Sequence, residues 1–452
     1  MMKEAYTNKD LNVEIRDVPV PKPRPGELLI RTVVSGTNPK DWKMPKLMGG
    51  DPANHGDDIA GYVEAVGEGV TGFRPGDRVA AFHQMFTPHG SYAEYSVAAA
   101  KSAFHLPNPT TFEEGATIPL ASMTAALGVY QRLQLPLPWS PVTVPTPLVV
   151  DGAATAVGAF AIKFAALSNV HPIIAIAGNG ITFVDTLLDK SKGDIIIDYR
   201  QGPEHVNKEL RKVAEKHTIS YAYDTVSDEA SLEMLSKVVY AENGKIMSVI
   251  PKEDSVIGGI TVLGSNVGHI HESAKEGFKV GNAEFGATIY NLVSLGLADG
   301  WFSGHPYEIA EGGLAGLEGV LKNLEAGLYN TSKSIVLYLL AEAARDPGLT
   351  TGATFHFTED PDQSHVAAAK YGIHAPSACA SENGPRALTS NIIALEPWKE
   401  MNGVQDFRAK LRDSQDKQPT ISRWEDPAFS MRFPISPYSI SVKRIMTSMT
   451  LC

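Results

Sequence analysis

The sequence is poor in cysteine. Only Cys379 and Cys452 occur among 452 residues, and both lie in the last quarter. Two thiols so placed make no disulfide framework, and a reducing compartment is the natural expectation. They also exclude a four-thiolate zinc site. Long apolar runs are missing as well: no stretch of about 18 apolar residues occurs, so no membrane-spanning helix is expected. Nor is there an excess of positive charge. Lys and Arg number 40 against 51 Asp and Glu, a net charge of −11. Nucleic acid and anionic membranes both need a basic surface, so neither is an expected partner. The N-terminal stretch MMKEAYTNKDLNVEIRD is polar, without an apolar signal core, and a cytoplasmic location is expected.

What is present suits two domains, with a hydrophobic fraction of 43% to fill their cores. Residues 1–135 read as mostly β. LNVEIRDVPV, ELLIRTVVSG and GYVEAVGEGV carry β-branched residues between the turns PKPRPGE, TGFRPGD and FTPHGS. TFEEGATIPLASMTAALGVYQRL then predicts a helix, capped by Thr111 with Glu113 and Glu114 in its first turn. A proline-rich connector, Leu135 to Pro147, follows. From Leu148 the texture becomes strand–helix alternation: PLVVDG, AVGAFAIKFAALS, PIIAIAG, FVDTLLDKSK, DIIIDYR, and onward to GKIMSVIP. Such alternation with continuously apolar strands predicts a parallel sheet covered on both faces. Two further helices, FGATIYNLVSLGLADG and GGLAGLEGVLKNLEAGL, end on glycine. Past Leu340 no period is sustained.

The turn between PLVVDG and the next helix is made of small residues, Gly152 to Gly158. Unpaired N–H groups and the helix dipole favour an anion there, and a dinucleotide pyrophosphate fits if no large side chain blocks it. Gly152 makes the tight turn. Ala153, Ala154 and Ala156 keep the floor low, Thr155 offers a hydroxyl, Val157 continues the turn into the helix, and Gly158 permits close helix packing. A packing turn with no ligand has the same composition. The second strand ends at Gly178 and Asn179 without the acid that a free 2′-hydroxyl usually meets. That favours NADP(H), with Lys190, Lys192 and Arg200 as nearby charge and Tyr199 against the adenine. A solvated helix face accounts for the same basic residues.

Several motifs in order resemble the medium-chain dehydrogenase/reductase family. They are NPKDWK (Asn38 to Lys43), DIAGYVEAVGEGV, FRPGDRVAAF, GSYAEYSVA, GAATAVG and GWFSGHPYEIAEGGLAGLEGVLKNLEAG. The last of these, with SKGDIIIDYR, is most similar to the fungal branch that holds toxin-cluster dehydrogenases and trans-acting enoyl reductases. The resemblance covers about residues 5–340. It implies an α/β protein: a GroES-like β-rich catalytic domain (1–135), a Rossmann doubly wound parallel sheet (136–280), a return to the catalytic domain (281–340), and a cleft between them. Residues 341–452 match nothing in the family and form an atypical C-terminal extension of unknown structure. Cys379 and Cys452 lie within it and receive no role.

The resemblance also implies what is missing. The positions of the catalytic zinc ligands hold Asn38, Asp57 and Leu120, so no zinc is expected. His55, Asp57, Asp58 and His83 show no metal-ligand spacing. Without a Lewis acid, reduction of a polarised C=C bond is the simpler chemistry, because the enolate oxygen needs only a donor or cation. Lys43 is the candidate cation, Asn38 the carbonyl-holding residue, and Asp41 the group that orients Lys43 or the nicotinamide ribose. Thr124 is expected at the nicotinamide end with Gly264 and Ser265. Tyr92 and His89 lie on a loop that can face substrate. Trp301, Phe302 and His305 read as packing. The expected activity is NADPH-dependent reduction of an enone, quinone or polyketide enoyl thioester, free or carrier-bound, in a secondary-metabolite pathway. An alcohol dehydrogenase of such a pathway and a weakly catalytic cofactor-binding protein are the alternatives. A monomer and a homodimer are both compatible with the branch.

Overall fold

The computed structural model describes residues 1–274, 281–328 and 333–337. The expected extension, 341–452, lies outside the described residues. The chain enters through an antiparallel ribbon, β1 (Met2–Thr7) against β2 (Val13–Val18). Strands β3 (Glu27–Gly36), β4 (Asp58–Val66), β5 (Arg78–Phe82), β6 (Tyr95–Ala99) and β7 (Ala103–His105) then build a first sheet. Helix α1 (Pro39–Met48) fills the interval between β3 and β4.

The single helix expected from Thr111 to Leu133 is divided. Pro119 has no N–H to continue a ladder, so α2 (Phe112–Ala116) stops before it and α3 (Pro119–Ala126) starts on it. A π-helical stretch, Leu127–Arg132, carries α3 onward. Thr111 does cap α2, accepting from the Glu114 N–H at 3.1 Å. Every residue of α3 is buried, and it packs between the two lobes as part of one continuous core.

The second sheet comprises β8 (Leu148–Asp151), β9 (Ile173–Ala177), β10 (Ile195–Asp198), β11 (Tyr221–Asp224), β12 (Lys245–Ser248), β13 (Ser255–Ile257) and β14 (Ile260–Leu263). Its order is β10-β9-β8-β11-β12-β14-β13, parallel except for the β13 edge. Strands β8 and β9 are buried throughout, as the unbroken apolar sequence requires. The crossover helices are α4 (Ala156–Leu167), α5 (Ile181–Asp185), α6 (Pro203–Ala214) and α7 (Glu229–Ser236). FVDTLLDKSK was expected to be helical throughout, yet α5 ends at Asp185. Asp189 instead caps a separate turn, accepting from the Ser191 N–H at 3.0 Å.

Helix α8 (Asn282–Asp299), strand β15 (Tyr307–Ala310), helix α9 (Leu317–Glu325) and strand β16 (Lys333–Leu337) follow. Gly300 ends α8 in the left-handed region, at φ 76°. Strand β16 returns to the first sheet and pairs antiparallel with β3. The sheet order there is β15-β16-β3-β4-β5-β7, with β6 beside β3. The fold is therefore a β-rich GroES-like lobe and a Rossmann lobe, closed by a returning strand.

Candidate functional site

The second sheet reverses its order between β8 and β11, and ligands of such sheets bind outside the strand ends at that point. Gly152 turns the chain there at φ 70°. A Cβ on Gly158 would run into the Gly152 carbonyl oxygen, so glycine is what lets α4 close onto the turn. Thr155 caps α4, accepting from the Gly158 N–H at 3.0 Å and donating to Thr225 Oγ1 at 3.1 Å. Its hydroxyl is thus already engaged on both sides. The first N–H groups of α4, at Ala156 and Val157, have no preceding turn to bond. Burial, then the Asp224 charge, push the Asp151 carboxyl under this turn up to about 7. A carboxyl raised this far is partly protonated near neutral pH and repels a pyrophosphate less.

A cavity of about 460 Å³ opens between the lobes at this edge. Ala154 to Val157, Ser265 and Val267 line it from the Rossmann side. Asn38, Lys40, Lys43, Leu120 and Thr124 line it from the other. Lys333 completes the wall from β16. Thr124 donates its hydroxyl to the Leu120 carbonyl at 2.8 Å, leaving Oγ1 as an acceptor.

A buried charge cluster supports the α1 wall. Lys40 Nζ lies 2.5 Å from Asp57 Oδ2 and 3.0 Å from Asp41 Oδ1, and donates to the His55 carbonyl at 2.5 Å. Three oxygens thus surround one ammonium. Burial works against that charge, and the two carboxylates overcome it, holding Lys40 above the usual lysine range. Burial pushes Asp57 up to about 7; Lys40 pulls it down and Asp41 pushes it up. Burial and Lys40 together lower the His55 imidazole to about 4. A second knot forms on Asp58, which is fully buried. It accepts from Asn38 Nδ2 at 2.8 Å and from the Leu120 N–H at 2.7 Å, and it pairs with Lys333. Lys43 belongs to neither knot. It is exposed at the cavity, with its ammonium 5.5 Å from the Trp42 ring.

At the far end of β9, the Tyr199 ring lies against Gly178, where a Cβ would come within 2.6 Å of it. Arg200 grips Asp198 through Nε at 2.9 Å and Nη2 at 2.8 Å, and donates to Asn179 Oδ1 at 3.0 Å. Asn179, Tyr199 and Arg200 form one group beside the second strand end.

Four expectations need correction. Asp41 does not reach Lys43 or the cavity. It is fully buried, accepting from the Asn38 N–H at 2.7 Å and the Tyr92 hydroxyl at 2.6 Å, with Lys40 as its cation. Residues two apart on a helix do not face each other, so Asp41 and Lys43 of α1 diverge. Lys192 lies before β10, at the opposite end of the sheet, and donates to Asn169 Oδ1 at 3.0 Å. Of the three basic residues, Arg200 alone follows the carboxyl end of a strand, as the Gly152 turn does. Tyr92 is fully buried and does not face the cavity. Gly264 adjoins Ser265 but lines a neighbouring cavity rather than this one. Lys40, Asp57 and Lys333 are site-forming residues that the sequence reading left without a role. An acid directly after Lys40 was the available signal for it; Lys333 had none.

Among the described residues, no group of three or more His, Cys, Asp or Glu is placed to hold a metal, and no helix is long and apolar enough to cross a membrane. The alcohol dehydrogenase GroES-like domain family matches residues 24–108. Over 316 residues the chain is 42% identical to the trans-enoyl reductase fsr4 of Gibberella fujikuroi, covering 69% of this chain and 91% of that protein. It is 31% identical to the trans-enoyl reductase resD of Aspergillus sclerotiorum, over 69% of this chain and 92% of that one. In three dimensions it is similar to an alcohol dehydrogenase superfamily protein from Novosphingobium aromaticivorans, with a TM-score of 0.63 at 22% identity, covering 75% of this chain and all of that one. The CurK enoyl reductase gives a TM-score of 0.58 at 16% identity, covering 74% of this chain and 99% of that one.

Proposed function

The chain belongs to the medium-chain dehydrogenase/reductase family and is an NAD(P)-dependent oxidoreductase, and from that premise we propose that it reduces the C=C bond of an enoyl thioester with NADPH and without zinc. One observation carries the reading. Among the described residues Lys43 stands at the cavity with no carboxylate partner, while of the three family zinc positions Asn38 is engaged by Asp58, Asp57 by Lys40, and Leu120 is apolar. Two relatives named trans-enoyl reductases support it.

When bound, the reduced nicotinamide supplies a hydride to the β-carbon. The turn from Gly152 to Gly158 takes the pyrophosphate on its free N–H groups. Thr124 Oγ1 and Ser265 receive the nicotinamide end. Lys43 holds the negative charge that develops on the thioester oxygen until a proton reaches the α-carbon. Asn38 keeps the α1 turn in place through Asp58. The substrate is a small molecule or an acyl chain borne on a carrier.

Titration with NADPH and NADH, followed by turnover of an enoyl thioester on zinc-free protein, tests the reading. Lys43→Ala is expected to lower kcat about 10²–10³-fold while NADPH affinity stays unchanged, because the lost interaction is made in the transition state. An unchanged kcat removes Lys43 from the chemistry. Arg200→Ala is expected to weaken NADPH binding about 10-fold to 100-fold and leave NADH binding as it was. Equal losses for both nucleotides would place Arg200 away from the 2′-phosphate.

A further inference from the structure

A second cavity, of about 420 Å³, adjoins the first and shares Pro251, Ser265 and Asn266 with it. The two differ in chemistry. Met44, Met85, Leu120, Val249 and Leu324 wall the first. Gln131, Arg132, Lys252, His269 and Asn282 wall the second. An apolar chamber and a polar chamber that meet at Ser265 and Asn266 suit an amphipathic substrate: a hydrocarbon chain in one and a hydrogen-bonding arm in the other.

The cations of the second cavity are not equivalent. Arg132 is engaged, donating to the Gly264 carbonyl at 2.9 Å and pairing with Asp254. His269 faces Glu272 at 3.7 Å. Lys252 is exposed, and among the described residues its ammonium has no acceptor. Gly264 packs so closely on its main chain that a Cβ there would run into the Lys252 carbonyl oxygen. An uncommitted ammonium in the wall of a polar cavity is a ready receptor for an anion. Gln131 Nε2 and Asn282 Oδ1 meet at 3.3 Å, a long bond that amide groups of a bound arm can replace.

We propose that the second cavity is the subsite for the phosphopantetheine arm of the thioester, with Lys252 taking its phosphate. The inference rests on the enoyl thioester reading and adds to it the handle by which the substrate is recognised. The amide links of the arm bond to the side chains around Ser265, Asn266 and Gln131, and the phosphodiester meets Lys252. Coenzyme A and a carrier protein present the same arm, so the subsite serves either.

The test uses the full chain and two thioesters of one enoyl acid, on 4′-phosphopantetheine and on N-acetylcysteamine. Wild type is expected to favour the phosphorylated thioester in kcat/KM, and Lys252→Glu to reduce that preference about tenfold or more. Calorimetry with free 4′-phosphopantetheine and free pantetheine reads the same contact without turnover. The phosphorylated compound is expected to bind more tightly, and Lys252→Glu to abolish the difference. Indistinguishable binding of the two compounds to wild type, or an undiminished difference in the variant, overturns the proposal. If calorimetry discriminates through Lys252 but neither thioester is reduced, the subsite stands and the enoyl reductase reading falls. If both thioesters are reduced with no discrimination, the subsite falls and the reading stands.

Discussion

Asp58→Ala is expected to destabilise the protein by about 3–5 kcal/mol, the usual cost of stranding one half of a buried ion pair. Three groups depend on this carboxylate: Asn38 Nδ2, the Leu120 N–H and the Lys333 ammonium. Lys333 is almost wholly buried, and its other bond, to the Thr117 carbonyl, is a long 3.4 Å. Little of it reaches solvent to recover its solvation, so the loss is larger than for a surface pair. Thermal melting checks it, with a fall in Tm of roughly 5 °C expected. Asp58→Asn keeps an acceptor for Leu120 and is expected to lose less. An Asp58→Ala protein that melts with the wild type would mean that water already reaches Lys333.

Lys40→Met is expected to cost about 3–5 kcal/mol at pH 8 and much less at pH 5.5. The substitution leaves Asp41 and Asp57 facing each other without a cation. The sign follows from the wild type. Burial raises the Asp57 carboxyl to about 7, above its unfolded value, so the folded state holds the proton longer. Stability from this group is therefore greatest at low pH and falls as pH rises towards neutrality. Without Lys40 the carboxyl rises further, and the window of loss extends to higher pH. Melting curves across that range decide the matter. A loss of equal size at both pH values would show that Lys40 acts by packing rather than charge.

Much of the fold was legible because its signals are local. The positive φ of Gly152, the Thr111 cap and the apolar strands β8 and β9 follow from their own residues and neighbours. In the candidate site, the turn from Gly152 to Gly158 was legible, as were Asn38, Lys43, Thr124 and Ser265, which line the cavity. Lys192 was misplaced because a charge close in sequence to a strand can sit at either of its ends. Asp41 was assigned to the wrong lysine because NPKDWK reads as a run of groups, whereas a helix sends Lys40 and Lys43 to different surroundings. Lys333 meets Asp58 across 275 positions, and no local pattern announces such a partner.

That separation bears on how the chain is made. Strand β3 is among the first structures to leave the ribosome, yet its neighbour β16 emerges only after the whole Rossmann lobe has been synthesised. Until then the Val34–Gly36 part of one β3 edge, beyond the stretch that β6 pairs, is open, and Asp58 waits without its cation. The early lobe is therefore expected to persist as an incomplete sheet through most of translation, with an exposed edge of the kind that invites wrong pairing. The later lobe contains its own sheet from β8 to β14 and can mature first. The order of completion thus inverts the order of synthesis, and a chain halted just short of Lys333 would carry a finished Rossmann lobe beside an unsealed GroES-like one.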